Sequence, residues 1–154
     1  EGQDASVRLV GRGAWAFDAL AYIQARNFTN IVVSSSRFVP VLDQRNTPAT
    51  GLGGKFELRP PVGDAHVLRL GVDYRNAQGE LFETAISAFS GNVTARRQAG
   101  GTNTDLGFFI EDDWTLGAMV LTAGARLDRW TIRDGFYRER DAAGTLQIDA
   151  GRTR

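Results

Sequence analysis

Few residues of this chain have the types and spacing that chemistry requires. His66 is the only histidine among 154 residues, and no serine or aspartate is spaced from it as in a catalytic triad. It lies beside an expected turn, so we interpret it as a surface histidine with satisfied polar contacts. The chain contains no cysteine, which excludes a disulfide framework and a thiolate metal site.

Three consecutive carboxylates, Glu111, Asp112 and Asp113, could attract a hard cation. Neighbouring residues of a strand point to opposite faces, so these side chains do not converge easily on one ion. The oxygen donors of residues 103–105 fit a solvated loop, and the glycine-rich residues 51–54 precede no helix that would complete a phosphate cradle. We predict no catalytic residues, no metal site and no cofactor, and we expect that the protein is not an enzyme.

The charges of the chain balance, with 18 basic and 18 acidic residues. Because a neutral chain has no long-range field for a polyanion, a nucleic-acid partner is disfavoured. All basic residues except Lys55 are arginine, a bias that a GC-rich genome or a need for planar bidentate donors would explain. No apolar run approaches the ~18 residues that a membrane-spanning helix needs. Such a chain enters a bilayer only as the wall of a barrel.

Residues 106–130 have the pattern of a β-hairpin. Every second residue from Leu121 to Leu127 is apolar, and polar or small residues occupy the positions between them. The first half alternates in the same way, although Phe109 and Asp112 break the pattern. A turn of a few residues joins the two halves, as is typical of a hairpin.

The same alternation recurs along the rest of the chain. We predict further strands at residues 4–11, 15–33, 50–61 and 67–74. Glycine and polar residues predict short turns near residues 12, 63 and 117. Polar composition predicts long irregular loops at residues 35–49, 76–103 and 134–154, and we expect the strands to extend into the second of these from both ends. Short and long connections therefore alternate.

Long strands with alternating short and long connections favour a transmembrane barrel over a soluble sandwich. Outer-membrane barrels have strands of ~10 residues or more, short periplasmic turns, long outer loops, an apolar outer face and a polar interior. The strands of a sandwich are shorter, and its loops vary at both ends. We therefore predict an all-β fold: an antiparallel up-and-down meander of about six long strands, part of a large transmembrane β-barrel. We expect residues 1–154 to be a partial barrel domain.

Aromatic side chains near the strand ends support a membrane location. Trp15 begins a strand just after a short turn and Trp114 ends one just before a short turn, so both would lie at the periplasmic interface. Tyr74 lies near the long-loop end of its strand, where a second aromatic girdle is expected. Trp130 shares the polar face by strict alternation. The predicted interfacial aromatics are Trp15, Tyr74 and Trp114.

Charged residues occupy alternate positions on the polar faces of the expected strands. In a barrel they would line a wet lumen and pair across neighbouring strands. The predicted lumen-facing polar residues are Lys55, Glu57, Arg59, Arg69, Asp73, Arg75, Glu111, Asp113, Arg126 and Asp128. The residues that we expect to contact a ligand from the loops are Arg37, Asp43, Gln44, Arg45, Asn92, Arg96 and Arg97.

The segment GFFIEDDW, a short turn and LTAGARLDRW combine an F-x-x-D-x-W-like motif with a strand that ends in G-x-R-x-D. This combination resembles the paired barrel strands of TonB-dependent outer-membrane receptors. The hairpin GLGGKFELRPPVGDAHVLRLGVDYR resembles another strand pair of that barrel, with a G-x-D-Y pattern, and AWAFDALAYIQARNFTN is similar to a further strand. The matching positions are Phe109, Asp112, Trp114, Gly124, Arg126 and Asp128, then Gly71, Asp73 and Tyr74, and Tyr22.

The resemblance covers most of the chain and implies a barrel of about 22 strands with a plug domain inside. It implies energised uptake of a scarce nutrient, such as an iron–siderophore complex or cobalamin, across the outer membrane of a Gram-negative cell. The implied partners are the lipid bilayer, a small-molecule ligand of the full receptor, and TonB, which would contact segments absent from this sequence. Because six strands cannot close a wide barrel, we expect the isolated chain to self-associate through its edges and apolar faces.

Two other interpretations stay open at this point. A porin-like passive channel would have the same wall without a plug. A soluble all-β module that binds carbohydrate or protein would also alternate along its strands.

Overall fold

A computed structural model describes residues 1–152 and consists of one antiparallel β-sheet. The strands pair in chain order, each with the one before and the one after it. The prediction of an all-β, antiparallel up-and-down meander is confirmed, with seven strands where about six were expected. They are β1 (Gly2–Gly11), β2 (Ala16–Val33), β3 (Pro40–Arg59), β4 (His66–Ile86), β5 (Val93–Leu116), β6 (Met119–Asp141) and β7 (Leu146–Arg152).

The connections at the two ends of the sheet are all short. Residues 12–15, 60–65 and 117–118 connect strands at one end, which we call the short-turn end. Residues 34–39, 87–92 and 142–145 connect strands at the other, which we call the distal end. The prediction of long irregular loops at residues 35–49, 76–103 and 134–154 is therefore wrong for the residues that the structure describes, and residues 153–154 lie outside them. Most of these residues extend the strands, and part of the last segment forms β7.

The physical reason for this error is the chemistry of the two faces. Near the distal end both faces carry polar side chains, so the apolar alternation that reveals a strand disappears. The backbone ladder nevertheless continues: β4 and β5 pair without a register shift from His66 opposite Trp114 to Ala85 opposite Ala95. Interstrand hydrogen bonds, which need no particular side chain, hold these extensions in the sheet.

The sheet is a single layer and has almost no buried core. Ala95 is the only buried hydrophobic residue among those described, and large apolar side chains such as Leu127 (73% exposed) lie open on one face. β1 and β7 each pair on one side only, so the sheet is not closed. A single sheet has no second layer of apolar side chains against which its own apolar face could pack.

The exposed apolar side chains form a band across the short-turn half of one face. On β4 the band extends from Leu68 to Tyr74, and Asn76 and Gln78 follow on the same face. On β5 it extends from Leu106 to Trp114, a distance of about 26 Å along the strand at ~3.3 Å per residue. We call the face that carries this apolar band the apolar face, and the other the polar face. Within residues 1–152 no helix is long and apolar enough to cross a membrane.

Candidate functional site

The polar face of the sheet gathers the charged residues that the sequence analysis assigned to a lumen. Residues directly opposite each other in paired strands share a face. Lys55 pairs with Asp73, Glu57 with Gly71, and Arg69 with Glu111. The registers of β3 to β6 place all ten predicted residues on this one face.

Ion pairs cross the centre of the polar face. Arg126 on β6 donates to Asp73 on β4 at 2.7 and 3.0 Å, across the intervening strand β5. The same guanidinium lies 2.6 Å from the carboxylate of Asp128. On β3, Glu57 accepts from Lys55 at 2.9 Å and from Arg59 at 2.6 Å. These contacts hold long flexible side chains in place above the backbone.

The three consecutive carboxylates of β5 are divided between the two faces of the sheet, and Arg69 bridges the two on the polar face. It contacts Glu111 at 2.6 Å and Asp113 at 2.8 Å on the polar face. Asp112 lies on the apolar face, where it is 2.7 Å from Nδ1 of His66. The His66 ring also stacks on Trp114, with ring centroids 5.6 Å apart. In the described part of the chain no group of three or more His, Asp or Glu side chains is arranged to hold a metal ion.

A cavity of about 660 Å³ lies on the polar face above the central strands. Its wall combines cations and carboxylates with two aromatic rings, so it could hold a solute with both polar groups and rings. The Nζ atom of Lys55 lies 5.2 Å from the centroid of the Phe109 ring. The main lining side chains are Tyr22, Lys55, Asp73, Arg75, Phe109 and Arg126.

Two glycines make room for the aromatic side chains of this wall. The ring of Tyr22 lies over Gly53, and the ring of Phe109 lies over Gly71. A Cβ atom on either glycine would overlap the ring above it. Neither ring was predicted to be part of the site: Phe109 was noted as a break in alternation and, like Tyr22, as a position of the family resemblance. The glycines are visible in the sequence, but their position directly opposite the rings depends on the strand register, which the sequence did not predict.

A second ion-pair group lies on the polar face beyond the apolar band. Arg97 contacts Glu83 at 2.7 Å and Glu139 at 2.8 Å, and Gln44 donates to Glu83 at 2.9 Å. Burial raises the pKa of the Glu83 carboxyl group, but the hydrogen bonds from Arg97 and Gln44 outweigh it, so this pKa lies below its usual range. Glu83 and Glu139 were not predicted as members of a site, because Glu83 falls in an expected loop and Glu139 in an expected irregular segment.

The structure divides the seven residues expected to contact a ligand from loops. Gln44 and Arg97 lie in strands on the polar face, whereas Arg96 lies in a strand on the apolar face. Arg37 and Asn92 lie in the distal connections, where the Arg37 guanidinium is 3.8 Å from the centroid of the Phe89 ring. The prediction that these strand residues lie in loops is therefore wrong, because backbone pairing continues through them. The other two strand residues of the set are Asp43 and Arg45.

The aromatic side chains near the ends of the apolar band are exposed. Trp15 precedes β2 at the short-turn end and is 62% exposed. Trp114 lies at the same end and Tyr74 at the other edge of the band, both on the apolar face. Trp130 pairs with Asp105 and lies on the polar face.

A single-layer sheet of long antiparallel strands, with an apolar band on one face and ion pairs on the other, is a segment of the wall of a transmembrane β-barrel. The family model described as TonB dependent receptor-like, beta-barrel matches residues 4–150, so the chain belongs to this family. The family comprises membrane-embedded receptors that act in transport with ligands and TonB, and its members are transporters, not enzymes. No curated protein matches the chain.

Proposed function

We propose that this chain forms part of the wall of a Gram-negative outer-membrane receptor that takes up a scarce nutrient with energy passed from TonB. The apolar face contacts lipid and the polar face lines the lumen. The observation that carries the proposal is the division of one sheet into an apolar band and a continuous ion-paired face. A soluble protein would need a second layer to cover such a band.

The cavity on the polar face supports passage of a polar solute with ring groups. Arg75 has no carboxylate within 4 Å among the described residues, and Tyr22 adds an aromatic hydroxyl to the same wall. Such a wall offers donors to oxyanions and flat surfaces to rings. An iron–siderophore complex or cobalamin, each polar and rich in rings or chelating oxygens, is the class of substrate that we propose.

Growth and uptake experiments test this function. We expect that cells in which the reading frame containing this chain is deleted lose uptake of one iron chelate or of cobalamin. Uptake by the intact protein should require TonB and an energised membrane, because receptor transport draws on that energy. The measurement is accumulation of radiolabelled ⁵⁵Fe chelates and ⁵⁷Co-cobalamin, with and without an uncoupler. Uptake that continues in uncoupled cells would instead identify a passive, porin-like channel.

A matched pair of variants tests the role of the polar face. Arg126→Gln removes the cation that spans Asp73 and Asp128, and Arg12→Gln removes the same charge from a connection at the short-turn end. We expect Arg126→Gln to weaken ligand binding or uptake by about tenfold, as loss of one charged hydrogen bond does. Arg12→Gln should leave both unchanged. Equal behaviour of the two variants would contradict a lumen role for Arg126.

A further inference from the structure

The distal part of the apolar face carries a group of arginines that the proposed lumen does not use. We call Arg45, Arg96, Arg138 and Arg140 the outward arginine cluster. The unbroken β4–β5 register places Arg96 on the same face as Phe108 and Trp114, away from the ion pairs of the polar face. In the β5–β6 register Arg140 is directly opposite Arg96, and Arg138 is opposite Gln98.

The charges of the cluster are only half compensated. Arg45 contacts Asp43 at 2.8 Å and Arg138 contacts Asp149 at 3.1 Å. Four arginines less two aspartates leave a net charge of +2. This excess lies on Arg96 and Arg140, which have no carboxylate within 4 Å among the residues described.

Arg96 and Arg140 place two positive charges directly opposite each other in paired strands. Like charges directly opposite each other in neighbouring strands destabilise the pair. Each guanidinium donates to a backbone carbonyl of the β6–β7 connection, Arg96 to Ala142 at 3.3 Å and Arg140 to Gly144 at 3.0 Å. A guanidinium has five N–H donors, so most donors of both side chains have no protein acceptor here.

The cluster surrounds a shallow cavity of about 380 Å³. Neutral polar side chains and Phe82 complete the wall, and the two carboxylate residues of the lining, Asp43 and Glu83, are each paired with an arginine. The planar fork of arginine matches the geometry of phosphate oxygens, and two forks can share one phosphate group. The lining residues on the apolar-face side that carry side-chain donors are Arg45, Thr84, Arg96, Gln98, Arg138 and Arg140.

We propose that the outward arginine cluster is a binding site for a phosphate group, with Arg96 and Arg140 as its principal donors. A bound phosphate removes the repulsion between the two cations and accepts their unused N–H groups. The site faces away from the proposed lumen, so it is separate from the path of a transported ligand. It goes beyond the proposed function, and the register and charges of the distal strands carry it.

Height above the apolar band limits the source of the phosphate. Ten residues separate Arg96 from Leu106 at the edge of the band, about 33 Å along the strand at ~3.3 Å per residue, which corresponds to a height of roughly 25 Å for a strand tilted by ~40°. The phosphate is therefore either soluble or carried on an extended headgroup that rises well above the acyl chains. Both sources present the same chemistry to the arginines.

Binding measurements on the full chain, folded in zwitterionic detergent micelles at constant ionic strength, test the site. The probes are inorganic phosphate and a glycolipid that carries phosphate on an extended sugar headgroup. Isothermal titration should show binding of at least one probe. Arg96→Gln and Arg140→Gln should each weaken it about fivefold, the usual contribution of one cation to an anionic surface. Arg12→Gln, with the same loss of charge at the short-turn end, should have no effect.

A lysine variant distinguishes the effect of the positive charge from that of the guanidinium geometry, and it serves as a control for misfolding. Arg96→Lys keeps the cation but loses the fork, so its affinity should fall between those of the native chain and Arg96→Gln. Equal binding of both probes identifies a soluble phosphate as the ligand. Tighter binding of the glycolipid that depends on Arg96 identifies a membrane headgroup as the ligand. Either result supports the site. The proposal is overturned if neither probe binds, if Arg12→Gln weakens binding as much as Arg96→Gln, or if Arg96→Gln lowers stability while phosphate affinity stays unchanged.

Discussion

At the scale of single residues, the polar face depends on the contrast between large side chains and bare backbone. Gly71 is directly opposite Phe109, and its missing side chain lets the ring lie flat against the strand. The ring then forms part of the cavity wall beside Lys55. Neither Gly71 nor Phe109 has a positive backbone φ, so glycine is needed at position 71 for space and not for backbone conformation.

We expect Gly71→Ala to displace the Phe109 ring and to lower the free energy of unfolding by about 1–3 kcal/mol, the usual effect of overpacking. Gly51→Ala is the control on the same face, since the nearest atoms to an added Cβ atom there are 3.8 Å away. Alanine at that position should have no effect or stabilise the strand slightly, because glycine loses more backbone entropy on folding. Urea unfolding of the chain in lipid vesicles measures both values. Equal losses would contradict the packing argument.

At the scale of the elements, the strands are longer than the apolar band that they carry. β4 and β5 continue for 12 and 13 residues beyond Tyr74 and Leu106, and polar side chains occur on both faces of these extensions. In a bilayer this arrangement places the band in the hydrocarbon layer and the extensions in water. Ion pairs such as Arg97 with Glu83 then lie in the wet part of the strand.

The three tryptophans report which face of each strand meets lipid. In variants that keep a single tryptophan, we expect Trp114 and Trp15 to be quenched by lipids brominated near the headgroup. Trp130 lies on the polar face, so it should be quenched by water-soluble acrylamide and little by the brominated lipids. The measurement is steady-state fluorescence in vesicles, with unbrominated lipid as the control. Strong lipid quenching of Trp130 would reverse the assignment of the two faces.

At the scale of the whole molecule, the open sheet leaves two kinds of surface unsatisfied. β1 and β7 each present an unpaired edge of backbone donors and acceptors. The apolar face presents a band of exposed large side chains, of which Leu121 and Leu127 are examples. Both surfaces are covered in a closed barrel within a bilayer.

We therefore expect the isolated chain to self-associate, through the apolar band in buffer and through strand edges in micelles. Multi-angle light scattering should show oligomers in detergent-free buffer. Micelles should cover the band, so association that persists in detergent reports pairing of the edges. A monodisperse monomer in detergent-free buffer would contradict this expectation.

The sequence by itself determined the fold class and the division of the central strands into two faces. Both follow from a period of two, which is local: each residue of a strand points opposite to its neighbour whatever the distant chain does. The placement of Lys55, Arg69 and Arg126 on one face therefore needed no tertiary information. The separation of Asp112 from Glu111 and Asp113 followed from the same rule.

Only the tertiary structure decided which strands lie side by side over their full length and which charges meet. Arg126 reaches Asp73 across an intervening strand, a contact that depends on the register of three strands at once. The distal extensions escaped prediction because water on both faces removes the alternation, while the hydrogen bonds that hold them are made between backbones. β7 escaped for another reason: Leu146, Ile148 and Ala150 do alternate with polar or small residues, but the run is only seven residues long and follows a polar, charged segment. The pairing of Arg96 with Arg140 likewise became visible only when the register was known.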